Sequence, residues 1–223
     1  SILLDVNVKV NQDVDLILCA VLELHKMSQK VYIVAGSRTP MGGLDGSLAS
    51  QTASQLGAVA ITGALTRSKV LSTQVNEVYM GCVLAAGQGQ APARQAALGA
   101  GLPKSTPCTT VNKMCGSGMQ TTIMGYNTIR AGSADIMVCG GMESMTNAPY
   151  LLPKVRQGMR MGHGQMLDHM FLDGLEDAYE GGLMGSFAQT TADAFSLSRK
   201  AMDNFAIHSL SKANSAIADV VLE

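Results

Sequence analysis

Tryptophan is absent from this 223-residue chain, and aromatic residues make up only 4% of it. A core built without them must be filled by aliphatic side chains and by methionine, of which there are 15, a flexible side chain suited to adaptable apolar surfaces. Charge is also scarce. Charged residues make up 15% of the chain, 16 Lys and Arg against 17 Asp and Glu, for a net charge of −1. With 47% hydrophobic residues, so apolar a chain cannot stay solvated as a disordered coil. The near-zero charge gives no long-range field to draw in nucleic acid or an acidic membrane. No run approaches the roughly 18 consecutive apolar residues of a membrane span, and the closest, around 16–22, follows Asp15. Asp5, Asp13 and Asp15 stand where a signal peptide needs a basic region. The expectation is a cytoplasmic protein with no membrane or nucleic-acid partner. Five cysteines are an odd count with no C-x-x-C pair, and a chain of this length does not need disulfide staples, so they read as reduced thiols. What is abundant is glycine, 24 residues, which points to close backbone packing and tight strand-to-helix turns.

The length suits one sizeable domain or a domain with an appendage. Residues 1–28 differ in character from the rest and are expected to be an extension outside the fold. From Val31 the pattern alternates. Strands are expected at 31–35, 77–84, 108–111 and 135–139, and helices at 52–70, 91–98 and 116–131. Strands separated by helices of this length predict βαβ units, a mainly parallel sheet covered on both faces, over residues 29–148. Residues 149–198 lose the period and become Gly-, Met- and Asp-rich, which suits a functional segment or small subdomain. A helix resumes near Arg199, with Met202, Phe205, Ala206, Leu210, Ala213 and Ile217 on one face. Residues 219–223 read as the opening of a further strand.

The sharpest local feature is Asn112-Lys113-Met114-Cys115-Gly116-Ser117-Gly118-Met119, where a strand turns into a helix. Unpaired N–H groups and the positive dipole end of a helix favour a thiolate placed there, which makes such a sulfur nucleophilic. Glycines just beyond it allow a tight turn and the approach of a substrate, as in a nucleophile elbow. The competing reading is a structural thiol beside a glycine-rich turn. Papain-type, dinucleotide and phosphate-loop motifs all fail here, since Gly118 and Met119 break the first and Pro92 breaks the second, while no G-x-x-x-x-G-K-[ST] occurs. His163 and His169, six apart, do not have the spacing of two metal ligands on one helix, and no metal is expected.

Four segments together carry a resemblance. Ser37-Arg38-Thr39-Pro40, the run from Gly87 through Gln95, the run from Thr110 through Gly118, and Gly140-Gly141-Met142-Glu143-Ser144 resemble, in the same order, the N-terminal half of the thiolases, acetyl-CoA acetyltransferases and 3-ketoacyl-CoA thiolases. The likeness covers residues 29–223. It implies an α/β thiolase-like half, a mixed and mostly parallel sheet with helices on both faces, and an inserted loop domain at 149–198, with 199–223 returning to the core. It also implies that Cys115 is the acylated nucleophile, that coenzyme A thioesters are substrates with no other cofactor, and that the protein is a homodimer or homotetramer. The reaction implied is condensation of two acetyl-CoA to acetoacetyl-CoA and CoA, or its thiolytic reverse.

The family's other catalytic groups, a His in G-H-P, an Asn-containing segment and a Cys in C-x-G, belong to its C-terminal half, and this chain ends before them. The alternative is therefore a chain that keeps the nucleophile but turns over only with a C-terminal partner. Cys139-Gly140-Gly141 imitates C-x-G but terminates a strand in the first half, so Cys139 reads as packing. Leu175 and Met184 match positions lining the family's acyl and pantetheine pocket. Leu183 stands where many biosynthetic thiolases carry His, which removes a polar contact. Lys154, Arg156 and Arg160 either attract the CoA phosphates or form a solvated face or subunit contact.

Overall fold

The computed structural model describes residues 30–219. The expected extension 1–28 lies outside them, as do residues 220–223 of the expected final strand. The chain divides into two compact units, the first ending at Met170 and the second beginning at Phe171.

In the first unit, β1 (Glu77–Gly81), β2 (Cys108–Val111) and β3 (Met137–Gly141) form a parallel sheet in the order β2-β1-β3. Three helices accompany it: α1 (Ala53–Ser68), α2 (Pro92–Gly99) and α3 (Ser117–Arg130). The chain leaves β1 through α2 to reach β2 on one side, then crosses through α3 to β3 on the other. Right-handed crossovers put two such connections on opposite faces, and the side chains agree. Val78, Met80 and Cys82 pack into a core with Ile61 of α1 and Ala93, Ala96 and Ala97 of α2. Tyr79 and Gly81 face α3, the Tyr79 hydroxyl 3.4 Å from Thr128 Oγ1 and Gly81 against Ser117.

The ends of the elements have local causes. Thr52 caps α1 by accepting from the Gln55 N–H at 3.2 Å, while Gln55 Oε1 accepts from the Thr52 N–H at 2.8 Å, a reciprocal box that satisfies two otherwise orphaned donors. β1 is three residues shorter than the expected 77–84, because the Val83 and Leu84 N–H groups turn to the Glu143 carboxylate instead of the ladder. β3 starts two residues later than expected, because Asn76 Oδ1 takes the N–H groups of Asp135 and Ile136 at 3.0 and 2.8 Å.

The strand expected at 31–35 does not form. Tyr32, Ile33 and Val34 are largely exposed, and the segment stands across a cavity of about 470 Å³ whose other walls include Leu65, Tyr126, Ile129 and the β3 residues Met137 and Cys139. Among the described residues no backbone hydrogen bond joins this segment to β3. β-branched composition signals a strand only where a partner backbone comes within hydrogen-bonding reach.

The segment after Asn147 contains a short antiparallel pair, β4 (Tyr150–Leu151) with β5 (Leu167–Asp168), in the first unit. The second unit opens with one π-helical turn, Phe171–Leu175, and continues with α4 (Met184–Ala194) and α5 (Arg199–Ala218). Ser198 caps α5 by accepting from the Ala201 N–H at 3.2 Å. This helix forms where expected, but none of its residues is buried. No helix among the described residues is long and apolar enough to cross a membrane.

Candidate active site

In an open parallel sheet, sites form beyond the carboxyl ends of the strands, where the strand order reverses. β1 is that point here, and three chain segments leave the sheet beside it: residues 82–91 after β1, 112–116 after β2 and 142–148 after β3. Cys115 stands on the middle one, one residue before Gly116, which caps α3.

The turn is tight and internally tied. Met114 has φ +49°, the left-handed region, which costs a residue with a Cβ about 1–2 kcal/mol. Asn112 Oδ1 accepts from the Met114 N–H at 3.0 Å. Ser117 Oγ accepts from the Lys113 N–H at 2.9 Å and donates to the Met114 carbonyl at 2.6 Å. The N–H groups of Gly116 and Ser117 donate to the carbonyls of Lys113 and Met114 at 3.1 and 3.0 Å. These bonds hold Cys115 at the mouth of α3, whose first-turn N–H groups have no acceptor within the helix. Lys113 lays its ammonium on Gln120 Oε1 at 2.8 Å. Below the turn, α3 meets the sheet almost backbone to backbone. A Cβ on Gly81 would come within 2.7 Å of Ser117, and one on Gly141 within 3.3 Å of the Gly118 Cα.

Among the described cysteines Cys115 alone is exposed; Cys19 lies outside the described residues. Burial, with the Glu143 charge adding to it, pushes the Cys82 thiol up to about 11. Burial, with Glu77 adding to it, pushes Cys139 up to about 11, and burial raises Cys108 as well. Cys139 packs its sulfur into the space a side chain on Gly125 would need. Burial thus keeps the other three described thiols neutral, and Cys115 is the one open to solvent.

Lys154, Arg156 and Arg160 lie on an exposed loop of the same unit, Lys154 opening a turn at φ +67°. His163 is exposed on that loop. His169 is buried, and its Nε2 accepts from the Ala86 N–H at 3.4 Å. Among the described residues no three His, Cys, Asp or Glu side chains gather where they could hold a metal ion. In the second unit, Leu175 is half-buried, while Leu183, the N-cap of α4, and Met184, its first residue, are 44% and 45% exposed. A turn centred on Asp177 brings them together: the Asp177 N–H donates to the Gly182 carbonyl at 2.7 Å, and Glu176 bridges to Leu183.

Sequence reasoning gave Glu143 no part beyond its place in the motif 140–144. Its carboxylate accepts from the N–H groups of Val83 at 2.9 Å and Leu84 at 3.1 Å and from the Cys82 thiol at 3.4 Å. A carboxylate two residues after the end of β3, within the motif 140–144, was the signal that could have drawn attention to it.

Comparison with known proteins now decides the family. The family description "Thiolase, N-terminal domain" matches residues 31–222. The chain belongs to the thiolase family. It is 50% identical over 197 residues to an acetyl-CoA acetyltransferase of Schizosaccharomyces pombe, covering 88% of this chain and 50% of that protein. It is 47% identical over 186 residues to a mitochondrial acetyl-CoA acetyltransferase of Rattus norvegicus, covering 83% of this chain and 43% of that one. Its fold matches the crystal structure of Acat5 thiolase from Ascaris suum in complex with coenzyme A, with a TM-score of 0.80 and 38% identity over 86% of this chain and 50% of that one. This thiolase chain therefore spans about half the length of the relatives it matches.

Proposed function

We propose that this chain carries the acyl-transfer nucleophile of an acetyl-CoA acetyltransferase, with Cys115 as the residue that takes the acetyl group. The observation that supports this best is an exposed cysteine on a turn with Met114 in the left-handed region at the start of α3, where burial holds the other three described thiols neutral. The Cys115 thiolate adds to the thioester carbonyl of acetyl-CoA. The tetrahedral intermediate collapses by breaking the bond to the CoA sulfur, and CoA leaves as a thiolate that takes up a proton. In condensation, the carbanion equivalent of a second acetyl-CoA attacks the acetyl-cysteine, forming acetoacetyl-CoA and returning the Cys115 thiolate. Thiolysis is the same sequence reversed. Lys154 and Arg156 are the cationic groups proposed to meet the CoA phosphates, and Leu175, Leu183 and Met184 the apolar surface proposed for the pantetheine and acyl chain. Leu183 in place of a polar residue removes a polar contact, which argues against a strict preference for acetoacetyl-CoA.

A second reading concerns turnover. On its face away from the sheet α3 exposes Met119, Ile123 and Tyr126, spaced as a helical stripe. The family resemblance expects this helix to be sandwiched between two homologous halves, and the stripe is the surface such packing would cover. We infer that acylation is a property of this chain and that full turnover needs a C-terminal half and a homo-oligomer around it. The relatives' names divide over the compartment, one being named cytosolic and another mitochondrial, and the cytoplasmic placement stays a proposal.

The test is to incubate the purified chain with acetyl-CoA and map its peptides by mass. The Cys115 peptide is expected to gain about 42 Da, the mass of one acetyl group held as a thioester. A folded sample with no adduct at Cys115 overturns the acyltransferase reading. Steady thiolysis of acetoacetyl-CoA by the chain alone overturns the need for a partner.

A further inference from the structure

We propose that Glu143 is a positioning residue: its carboxylate holds the segment leaving β1 and, through that segment, the turn on which Cys115 stands. The proposal rests on reading Cys115 as the acylated sulfur. Glu143 Oε2 accepts from the Val83 N–H at 2.9 Å, and Oε1 accepts from the Leu84 N–H at 3.1 Å and the Cys82 thiol at 3.4 Å. Hydrogen bonds to an ionised acceptor are about twice as strong as neutral ones, and one side chain here collects three donors from consecutive residues.

Those residues are coupled to the nucleophile by short contacts. The Cys82 N–H donates to the carbonyl of Val111, the last residue of β2, at 3.0 Å, immediately before Asn112. Gly81 packs against Ser117 with no room for a side chain. Ser117 Oγ in turn bonds Lys113 and Met114, the two residues preceding Cys115. The segment that carries Glu143 also grips the helix. Thr121 Oγ1 of α3 donates to the Gly140 carbonyl at 2.9 Å, Gly141 lies against Gly118, and the Met142 N–H donates to the Gly81 carbonyl at 2.9 Å. Residues 140–143 thus fasten α3 at one end and the exit of β1 at the other, and a release at Glu143 reaches Ser117 through Gly81.

The charge is needed as well as the shape. The Val83 and Leu84 donors use different oxygens, so both must accept. A carboxamide offers one acceptor oxygen and turns an NH₂ group against the other donor.

The experiment compares the parent chain with Glu143→Gln and Glu143→Asp. In each, Cys115 is followed by its rate of alkylation with iodoacetamide and by acetyl-adduct formation from acetyl-CoA, and Cys139 in the same sample reports on packing. Glu143→Gln is expected to slow both reactions of Cys115 by about tenfold or more, the scale of losing a hydrogen bond to a charged group, with Cys139 as protected as in the parent. Glu143→Asp, which keeps the charge and both acceptors on a shorter arm, is expected to recover part of the rate, and it carries the test if the Gln variant does not fold. Parent-like Cys115 rates in the variants overturn the proposal, as does a loss of Cys139 protection in step with the change at Cys115, which identifies Glu143 as a general packing residue. A parent chain alkylated selectively at Cys115 but never acetylated would sink the acyltransferase reading instead, and the alkylation rates would still decide the role of Glu143.

Discussion

Replacing Gly81 with alanine puts one methyl group between β1 and α3, and the structure indicates what it meets. The new Cβ would lie 2.7 Å from both the carbonyl carbon and the Cβ of Ser117 and 2.8 Å from the Gly118 nitrogen. Two of these three atoms are backbone, so no side chain can swing aside and the start of α3 must move. Overpacking of this kind costs about 1–3 kcal/mol. With a backbone obstacle the upper part of that range applies, about 2–3 kcal/mol, which lowers the thermal midpoint of a chain this size by about 4–12 °C. Two neighbours calibrate the argument. Gly141→Ala meets the Gly118 Cα at 3.3 Å and should be intermediate, whereas a Cβ on Gly118 finds nothing closer than 3.8 Å. Gly118→Ala should therefore be neutral or stabilising by up to about 1 kcal/mol from helix propensity. Thermal melts of the three variants test the order, and iodoacetamide labelling of Cys115 tests the consequence, a loss of reactivity in Gly81→Ala alone. A Gly81→Ala protein that melts with the parent, or a Gly118→Ala protein destabilised as much as Gly81→Ala, would refute the backbone-contact reasoning.

Two further predictions concern the thiols of Cys82, which is buried, and Cys139, which is half-buried. Cys82 and Cys139 are pushed up to about 11, while thiols in an unfolded chain ionise near about 8.5. The unfolded chain therefore releases these protons first as pH rises, so their contribution to stability is whole below about pH 8.5 and is lost as pH climbs through about 11. Urea midpoints measured from pH 8 to pH 10.5 should fall, and less steeply in Cys82→Ala and Cys139→Ala. Equal slopes in parent and variants would contradict the assignment. The second prediction is that Gly125→Ala destabilises because its Cβ would overlap the Cys139 sulfur. Adding Cys139→Ala should recover much of the loss in a double-mutant cycle, and strict additivity would show that the two residues do not compete for that space.

What could be read in advance follows the range of the forces involved. The elbow was legible because its parts are adjacent: a β-branched run, then Cys115 among Gly116, Ser117 and Gly118, is a local pattern, and the turn forms from bonds spanning two to four residues. Helix α1 was legible from the apolar spacing of Leu56, Ala60, Ile61, Ala64 and Leu65, which is also a local pattern. The termini of β1 and β3 were not, because each is set by a side chain about 60 residues away, Glu143 for Val83 and Leu84 and Asn76 for Asp135 and Ile136. The segment 31–35 shows the opposite failure: its residues have the composition of a strand, but pairing depends on a partner edge that stands across a cavity. The same distinction separates the two kinds of site residue. Cys115 declares itself by its neighbours in the chain. The role of Glu143 exists only once β1 and β3 lie side by side, so a motif containing it, Gly140-Gly141-Met142-Glu143-Ser144, identifies the family without revealing that the glycines seat the helix and the carboxylate holds the loop. That division explains why the turn carrying Cys115 could be placed from the sequence, while the groups that hold the turn required the fold.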